Sequence, residues 1–309
     1  MRKNSQERSE GIAVVMLTVD QREKTLRCLE SFRSVDAPPY RILVWDNGSV
    51  DGTEEAVRTA YPDVVFHRSP TNLGAAGGRN AGVERAIAAF DPAYLLFLDN
   101  DIVVTPGFLL PLTEPFRQDP SVGQTSAKIR YLHDPARINA AGGSRVNFPL
   151  GIVTVTGIGE IDRGQHDEPG ECIANGGCTL VRRDVFERIG GFDDRFHPYG
   201  HEDLDLSLRI RKSGFRVLYV PSSVVYHEPS RTLVGTRFDE AYAASKARTW
   251  LLLLHKHASA AEKGGFFLVG IPLAFFRVLC REGRAGGLKA LRGLWRGTAH
   301  HLKTRMRQP

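Results

Sequence analysis

Cysteines and long apolar runs are scarce in this 309-residue sequence. The four cysteines include no Cys-x-x-Cys pair, so we expect buried thiols, not a disulfide framework or a zinc or redox site of that spacing. They are Cys28, Cys172, Cys178 and Cys280. The best candidate for a membrane span, residues 264–276, is shorter than the roughly 20 apolar residues that a spanning helix needs. The first ten residues lack the apolar centre of a signal peptide, so we expect no export signal.

Two common nucleotide-binding loops are also missing. The glycines between residues 74 and 82 resemble a phosphate-binding loop, but they do not form Gly-x-Gly-x-x-Gly, and no Walker Gly-Lys-Ser/Thr sequence is present. The first absence disfavours a dinucleotide-dependent dehydrogenase, and the second disfavours a P-loop NTPase.

Positive charge is concentrated at the C-terminal end. Residues 281–309 hold eight Lys or Arg and one acid, a net +7 within a total of +6, which leaves −1 for the first 280 residues. The near-neutral charge of the first 280 residues does not support a nucleic-acid partner. An apolar helical face accompanies the basic residues, formed by Leu288, Leu291, Trp295 and Leu302. Together with the apolar segment 264–276 it predicts an interfacial helix on anionic lipid, with a solvated basic tail as the alternative.

The pattern of apolar residues predicts the fold class. With 42% hydrophobic and 25% charged residues, the chain has the composition of a folded globular protein. Continuous apolar runs predict buried strands, and the segments between them have helical spacing. The predicted strands are 11–18, 42–45, 64–66 and 94–98, and the predicted helices are 22–32, 53–61 and 80–90. This alternation indicates an α/β fold with βαβ units around a mostly parallel sheet.

The alternation is less regular after residue 101. Further elements are predicted as helices over 106–118 and 203–214 and as strands over 122–132, 172–182 and 216–220. The last strand is closed by Pro221. Residues 142–171 are rich in glycine and β-branched side chains, which indicates a hairpin or a flexible flap.

Polar residues cluster where the first four predicted strands end. In an open α/β sheet, ligands bind beyond the carboxyl ends of the strands. The clusters are Thr18-Val19-Asp20, Asp46-Asn47-Gly48-Ser49, Asn72-Leu73-Gly74 and Asp99-Asn100-Asp101. Each alone has the composition of a turn, but four at successive strand ends favour a ligand site. Arg79, beyond the third cluster, has the planar geometry that suits a diphosphate; an ion pair with Glu84 or Asp101 is the alternative.

Asp99 and Asp101 follow the fourth predicted strand directly. Two ionised carboxylates beside a covered sheet are costly unless a cation offsets them. Mg²⁺ and Mn²⁺ accept such oxygen ligands, often one or two carboxylates together with substrate phosphates. The pair therefore predicts a metal site, with an Asx-rich helix cap before Pro106 as the alternative.

A second acidic cluster lies at the predicted start of the 203–214 helix, where the helix dipole tolerates negative charge. Glu202 and Asp203 point in different directions, so one can act as a general base while the other holds the acceptor or the helix. His227 follows a predicted strand and is a candidate metal ligand, although a lone histidine often fills a structural position. Gly176 and Gly177 would let a sugar approach the backbone, or would form a β-bulge.

These motifs together make the sequence resemble the family 2 glycosyltransferases, inverting enzymes of the GT-A fold, and among them the rhamnosyltransferase-like bacterial members. The matching segments, in order over residues 12–231, are VVMLTVDQREKTLRCLESF, VWDNGSVDGT, NLGAAGGRNAG, LFLDNDIVVTPG, NGGCTLVRRDVFERIGGFDDRF, YGHEDLDLSLRIRKSGFRVLYVP and VVYHEPS. The resemblance implies a Rossmann-like GT-A catalytic domain over 1–234, with a nucleotide-sugar half over about 11–104 and an acceptor half over about 105–234. Residues 235–309 would form a helical extension.

The resemblance also implies a role for each matching position. Asp46 would bind the nucleotide base beside the loop of Thr18 and Asp20, where Val19 replaces an aromatic that is frequent in the family. Further contacts to the nucleotide-sugar would come from Asn72, Arg79, Asp99, Gly176 and Gly177. Mg²⁺ or Mn²⁺ would be bound by Asp99, Asp101 and His227. Asp203 would be the catalytic base, with Glu202 as the fallback.

The implied reaction is the metal-dependent, inverting transfer of a sugar, with rhamnose as one candidate, from a nucleoside-diphosphate sugar. The acceptor would be a cell-envelope polysaccharide, a glycolipid or a lipid-linked saccharide. We weigh two alternatives. A nucleotidyltransferase would need a basic glycine-rich loop after the first strand, and a non-catalytic binding module would not need both acidic motifs. We expect a cytoplasmic chain, peripheral on the inner face of the membrane, with no nucleic-acid partner; a homodimer is left open.

Overall fold

The computed structural model describes residues 11–35, 38–174, 176–229, 240–274, 276, 292–293 and 295–298. Predictions for the remaining residues lie outside this part of the chain. They include Leu288, Leu291 and Leu302 of the predicted amphipathic face, most of the basic tail, and Cys280. Cys28, Cys172 and Cys178 are free and buried, as expected.

The first half of the fold follows the predicted alternation. Its strands are β1 (Ile12–Thr18), β2 (Tyr40–Asp46), β3 (Val65–Arg68) and β4 (Tyr94–Asp99), and its helices are α1 (Arg22–Ser31), α2 (Thr53–Ala60) and α3 (Gly74–Phe90). The four strands are parallel in the order β3-β2-β1-β4. Both faces of β1 are buried, because Ile12, Val14 and Met16 pack in one apolar layer. Ala13 and Val15 pack in the opposite layer, which explains the continuous apolar run.

The second half extends the same sheet. Its elements are β5 (Ile102–Val104), α4 (Leu109–Gln118), β6 (Val122–Tyr131), β7 (Ile138–Ala140), β8 (Ser144–Asn147), β9 (Ile152–Val155), β10 (Gly170–Glu171), β11 (Cys178–Arg182), α5 (Arg183–Ile189), α6 (Glu202–Lys212) and β12 (Arg216–His227). The strand order is β10-β12-β6-β11-β4-β1-β2-β3, with β11 antiparallel to both of its neighbours. The predicted hairpin is the β8–β9 pair. The mostly parallel α/β prediction is confirmed.

Three predicted elements differ in extent because tertiary packing overrides local preference. Helix α3 begins at Gly74, six residues before the predicted start. A Cβ at Gly78 would lie 2.5 Å from Leu17 Cδ1, so the glycine lets α3 pack closely on β1. The strand predicted over 172–182 is confined to β11, because Gly177 has a left-handed φ of +101°. The helix predicted from Pro106 begins at Leu109, after the unpredicted strand β5, which pairs with β12.

Pro221 does not end the last strand as predicted. Proline cannot donate to a strand ladder, but the register of β12 against β6 shifts between Val220 and Val224. This irregularity accommodates Pro221, and β12 continues to His227. The histidine is therefore the last residue of a strand inside the sheet, at the edge where the parallel strands end.

The described part of the C-terminal extension is helical, as predicted. Helix α7 (Glu240–His257) and the short helix α8 (Ala260–Gly265) are followed by a π-helical turn, Phe266–Gly270. Trp250, Leu253 and Phe266 share an apolar cluster with Phe148 and Phe196, so the extension packs on the sheet domain. Within the described ranges, no helix has the length and apolar character needed to cross a membrane.

Candidate active site

Asp46 ends β2 with a fully buried side chain. Its Oδ1 atom accepts hydrogen bonds from the backbone N and the hydroxyl of Ser49, at 2.9 and 2.5 Å. Its Oδ2 atom has no hydrogen-bond partner among the described residues, and the nearest cation is Arg68, whose Nε lies 3.8 Å away. A buried acceptor without a hydrogen bond is unfavourable, so Oδ2 is available to an N–H group of a ligand.

Thr18, Asp20 and Asn72 frame this position mainly through internal hydrogen bonds. The Thr18 hydroxyl lies 2.8 Å from Thr25 Oγ1 and accepts from Asn100 Nδ2 at 3.1 Å. Asp20 has a φ of +48°, and its Oδ1 accepts from the backbone N of Val50 at 2.8 Å. The Asn72 side chain accepts from Gly74 N at 2.8 Å, at the start of α3. These residues fix the loops around Asp46.

Arg79, on α3, joins both acidic motifs. Its guanidinium donates to Asp99 Oδ1 at 2.8 Å and to Glu202 Oε1 at 3.0 Å. Asp203 Oδ1 lies 3.6 Å from Nη1, the guanidinium atom that donates to Glu202. The guanidinium also packs against the Phe192 ring, 5.4 Å from its centre. The predicted alternative pairs, with Glu84 or Asp101, are not the ones formed. Burial alone would lower the pKa of Arg79 by disfavouring its charged form. The three neighbouring carboxylates outweigh this effect and raise its pKa.

Glu202 and Asp203 stand at the start of α6, as predicted, and their environments differ. Glu202 Oε2 also accepts from the backbone N of Gly200 at 2.6 Å. Burial would raise the pKa of Glu202, but the Arg79 charge keeps it below its usual value. The first residue of the pair is therefore a charged, structural carboxylate.

The pKa of Asp203 is shifted in the opposite direction. Burial, followed by the negative charge of Glu202, raises the pKa of Asp203 to about 7, even though 31% of its side chain is accessible. Its Oδ1 atom has no hydrogen-bond partner among the described residues. Its Oδ2 atom faces Gly176, where an added Cβ would lie only 2.4 Å away. A partly accessible carboxylate with a pKa near neutrality is suited to general-base chemistry.

The predicted metal ligands form two groups. Asp101 Oδ1 lies 3.3 Å from His227 Nε2, and His227 Nδ1 lies 3.2 Å from Asn139 Oδ1. When Nδ1–H donates to Asn139, Nε2 and the carboxylate oxygen are two acceptors that face each other, an arrangement that suits a cation between them. Asp99 is held by Arg79 instead. Within the described ranges, no three His, Cys, Asp or Glu side chains already converge as a ligand set.

The donor chemistry of the Asp101–His227 pair fits a divalent cation. One carboxylate oxygen and one imidazole nitrogen suit Mn²⁺ better than Mg²⁺, which favours oxygen alone. Two ligands leave room for phosphate oxygens and water. Lys24 Nζ, 3.8 Å from Asp101 Oδ2, offsets part of the local negative charge.

A cavity of about 360 Å³ brings the acidic motifs together. Its wall includes Asp99, Asp203 and His227, together with the backbone of Gly176 and Gly177. Sequence reasoning assigned no role to three further lining residues, Asn139, His201 and Lys246. His201 stands beside the acidic pair in the sequence, but Asn139 and Lys246 belong to no quoted motif, so only the fold reveals them.

A comparison with known protein families identifies the family to which the chain belongs. Residues 13–190, more than half of the chain, match the family described as Glycosyl transferase family 2. The chain belongs to this family. Residues 170–230 also match the description N-terminal domain of galactosyltransferase. Membership in family 2 identifies the chain as a glycosyltransferase, as the resemblance predicted. It disfavours the two alternatives, a nucleotidyltransferase and a non-catalytic binding module.

Two curated relatives are similar to this chain. The N-acetylglucosaminyl-diphospho-decaprenol L-rhamnosyltransferase of Mycobacterium tuberculosis is 29% identical over 268 residues, which cover 80% of this chain and 85% of the relative. The O-antigen biosynthesis protein RfbC of Myxococcus xanthus is 32% identical over 172 residues, 51% of this chain but 13% of that protein.

Solved structures confirm the GT-A fold. A crystal structure of GalNAc-T7 with UDP, GalNAc and Mn²⁺ superimposes with a TM-score of 0.58 at 20% identity, over 70% of this chain and 43% of that chain. The chain thus spans less than half of GalNAc-T7. The mannosyltransferase PcManGT of Pyrobaculum calidifontis, in complex with GDP-Man and Mn²⁺, gives 0.55 at 18% identity, over 98% of this chain and 77% of that one.

Proposed function

We propose that this family 2 enzyme transfers a sugar, with inversion, from a nucleoside-diphosphate sugar to a lipid-linked saccharide of the cell envelope. One observation carries the proposal. A single cavity is lined by Asp203, with its pKa near neutrality, and by Asp99 and His227. The candidate general base and the residues assigned to the diphosphate end of the donor thus line the same cavity, as a single displacement requires.

The nucleotide end of the donor is assigned to Asp46. Its unpartnered, buried Oδ2 would accept an N–H from the base. Uracil, thymine and guanine all present such a group, so this contact does not select among them. Asp46→Asn would replace the acceptor by an amide group, and we expect donor affinity to fall about tenfold or more, as for a lost charge-assisted hydrogen bond. Asp63→Asn, on the surface before β3, is the matched control in a titration with UDP, dTDP and GDP.

The divalent cation is assigned to Asp101 and His227, with Asn139 orienting the histidine ring. When bound, the cation would neutralise the charge that develops on the departing diphosphate. Arg79 holds Asp99 at the wall of the same cavity. The Mn²⁺ in the GalNAc-T7 and PcManGT structures supports a metal-dependent reaction here.

The acceptor hydroxyl is assigned to the accessible part of the Asp203 carboxylate, which lines the cavity. The deprotonated carboxylate would take the hydroxyl proton while the hydroxyl oxygen attacks the anomeric carbon from the face opposite the diphosphate. Arg79 keeps Glu202 ionised beside Asp203, and the negative charge of Glu202 helps to raise the pKa of Asp203. Because Gly176 has no side chain, Oδ2 can occupy the position next to its backbone.

The acceptor class rests on the relatives. The mycobacterial relative is named for an L-rhamnosyl transfer to N-acetylglucosaminyl-diphospho-decaprenol, and the Myxococcus relative for O-antigen biosynthesis. Rhamnose is therefore the first donor sugar to test. A set of exposed apolar side chains supports access to a lipid-borne substrate from a cytoplasmic membrane face. They are Phe267, Leu268, Val269, Ile271 and Phe276.

The deciding experiment is a transfer assay with the full chain and Mn²⁺. Rhamnose and other sugars, presented as UDP, dTDP or GDP donors, are mixed with N-acetylglucosaminyl-diphospho-prenol, and the product is identified by mass spectrometry and its anomeric configuration by NMR. We expect Asp203→Asn to lower the rate by about 10²- to 10⁴-fold. Asp184→Asn, an exposed acid in the first turn of α5, should not. Absence of transfer from every donor would refute the proposal.

The membrane contact has its own test. Leu268, which is 80% exposed, and its neighbour Val269 are changed together to Asp, and sedimentation with vesicles containing anionic lipid is measured. We expect the bound fraction to fall, because both side chains would lose their favourable burial in the interface. Leu110→Asp, an exposed leucine on α4, is the control. Equal binding of both variants would contradict a membrane contact at this segment.

A further inference from the structure

A second cavity lies beside the active site. It has a volume of about 510 Å³ and lies between the β8–β9 hairpin, α7 and the π-helical turn. Its apolar and aromatic lining includes Val153, Trp250, Leu251, Phe266, Ile271 and Trp295. The volume is within the range of about 300–1,000 Å³ that is typical of small-molecule sites. None of these six residues has a role in the sugar-transfer chemistry described above.

The two cavities share part of their walls. Val153, His201 and Lys246 line both the apolar cavity and the cavity that contains Asp203. Burial, helped by the Lys246 charge, lowers the pKa of His201 to about 3, so its ring is neutral, and its Nδ1 lies 2.9 Å from Thr249 Oγ1. Lys246 is therefore the cationic group at the boundary.

Lys246 is half-buried without a carboxylate partner. Among the described residues, no Asp or Glu forms an ion pair with its ammonium group, which instead lies 5.8 Å from the centre of the Tyr242 ring. The group is also close to the loop before α6, since a Cβ at Gly200 would lie 3.1 Å from Nζ. The Lys246 charge helps to lower the pKa of Glu202, but Glu202 is already hydrogen-bonded to Arg79. The partly desolvated ammonium group is therefore available to an anionic ligand.

We propose that Lys246 and the apolar cavity anchor a prenyl-diphosphate-linked acceptor, with the diphosphate at Lys246 and the first isoprene units among Trp250, Phe266 and Ile271. This inference rests on the proposed lipid-linked acceptor. The order of groups in the ligand, a sugar hydroxyl, then a charged diphosphate, then an apolar chain, matches the order of Asp203, Lys246 and the apolar cavity. The exposed apolar side chains of the π-helical turn continue the same path to the surface.

Binding is tested without a sugar donor. The full chain, in EDTA, is titrated with farnesyl diphosphate, farnesol or inorganic pyrophosphate, and tryptophan fluorescence is recorded. The sequence has three tryptophans, and Trp250 and Trp295 line the cavity. We expect farnesyl diphosphate to bind about tenfold or more tightly than either fragment, because it combines an ionic contact with apolar burial.

Two variants and two matched controls separate the contributions. Lys246→Met should lower farnesyl diphosphate affinity about tenfold, and Lys263→Met, on α8, should leave it unchanged. Ala247→Phe fills the apolar cavity and should weaken both farnesyl ligands, whereas the exposed Ala261→Phe should not. Circular dichroism and urea unfolding establish that each variant is folded.

The outcomes distinguish this inference from the proposed function. Farnesyl diphosphate affinity that is the same in Lys246→Met, Ala247→Phe and the unmodified chain would overturn the anchor, whatever the transfer assay shows. Loss of transfer to every lipid-linked acceptor, with farnesyl diphosphate still bound through Lys246, would refute the proposed function and leave the binding site in place. Selective loss in the two variants supports the anchor.

Discussion

Gly176 and Asp203 are in such close approach that a methyl group on Gly176 would lie 2.4 Å from the Asp203 Oδ2 atom. The two residues come from different parts of the chain, Gly176 from the loop before β11 and Asp203 from the first turn of α6. The absence of a side chain at Gly176 is therefore what gives the Asp203 carboxylate its position in the cavity. This contact leads to the first prediction.

Gly176→Ala should displace Asp203 and lower kcat/KM by about a hundredfold, since an error of about 1 Å in a catalytic group has such an effect. The free energy of unfolding should change by no more than about 1 kcal/mol, because the Asp203 side chain can rotate away and alanine restricts the unfolded chain. Steady-state kinetics and urea unfolding measure the two quantities.

Gly170→Ala is the control, since no atom lies within 4 Å of a Cβ placed there. It should retain full activity. An active Gly176→Ala enzyme would show that the observed Asp203 rotamer is not the reactive one.

The pH profile should report the pKa of Asp203. The folded-state pKa is raised to about 7, so the base is deprotonated above pH 7 and protonated below it. kcat/KM should therefore fall about tenfold per pH unit below pH 7, the slope for loss of one essential base. The measurement is the rate between pH 5 and pH 9, with circular dichroism to exclude unfolding. A flat profile over this range would contradict the assignment of the base.

Glu202→Gln should move the same limb of the pH profile to lower pH. The Glu202 charge is the second largest cause of the raised Asp203 pKa, after burial, and glutamine removes it while keeping a side chain of similar size. Glu171→Gln, an exposed acid in β10, is the control. If Glu202→Gln instead abolishes transfer at every pH while Asp203→Asn stays active, Glu202 is the base.

Arg79→Met should destabilise the protein and raise the pKa of Asp203 further. Asp99 and Glu202 would lose their hydrogen-bonded cation, and an uncompensated buried charge lowers the free energy of unfolding by about 3 kcal/mol. The Arg79 charge also lowers the pKa of Asp203, so the acidic limb should move to higher pH. Arg85→Met, exposed on the same helix, should change neither quantity in urea unfolding or in the pH profile.

Asp101→Asn and His227→Ala should weaken Mn²⁺ binding, since each removes one of the two proposed ligands. Loss of a ligand or of its orienting neighbour weakens metal affinity by about 10- to 100-fold. Electron paramagnetic resonance of free Mn²⁺ measures binding without a donor. His133→Ala, an exposed histidine near Glu228, is the control. Unchanged Mn²⁺ affinity in both variants would place the cation elsewhere, and EDTA should abolish transfer by the unmodified enzyme.

The sequence by itself determined the fold class and the approximate location of the site. Continuous apolar runs such as the one in Ile12–Thr18 indicate a strand covered on both faces. The polar clusters after such strands meet at one edge because parallel strands run in the same direction. For this reason Asp46, Asp99 and Asp101 could be singled out before any contact was known, and the Glu202–Asp203 pair was indicated by its position at a predicted helix start.

Only the tertiary structure decided how these residues divide the work. Asp99 is bound to Arg79, while Asp101 meets His227, a choice that depends on how β4, β12 and α3 pack. Glu202 stays charged, whereas the pKa of Asp203 is raised to near neutrality, although the two residues are adjacent in sequence. They differ because Glu202, and not Asp203, lies within hydrogen-bond distance of Arg79. Lys246 joins the site from α7, which begins 28 residues after the end of α6. Burial and long-range contacts set each of these properties, and local sequence carries no record of either.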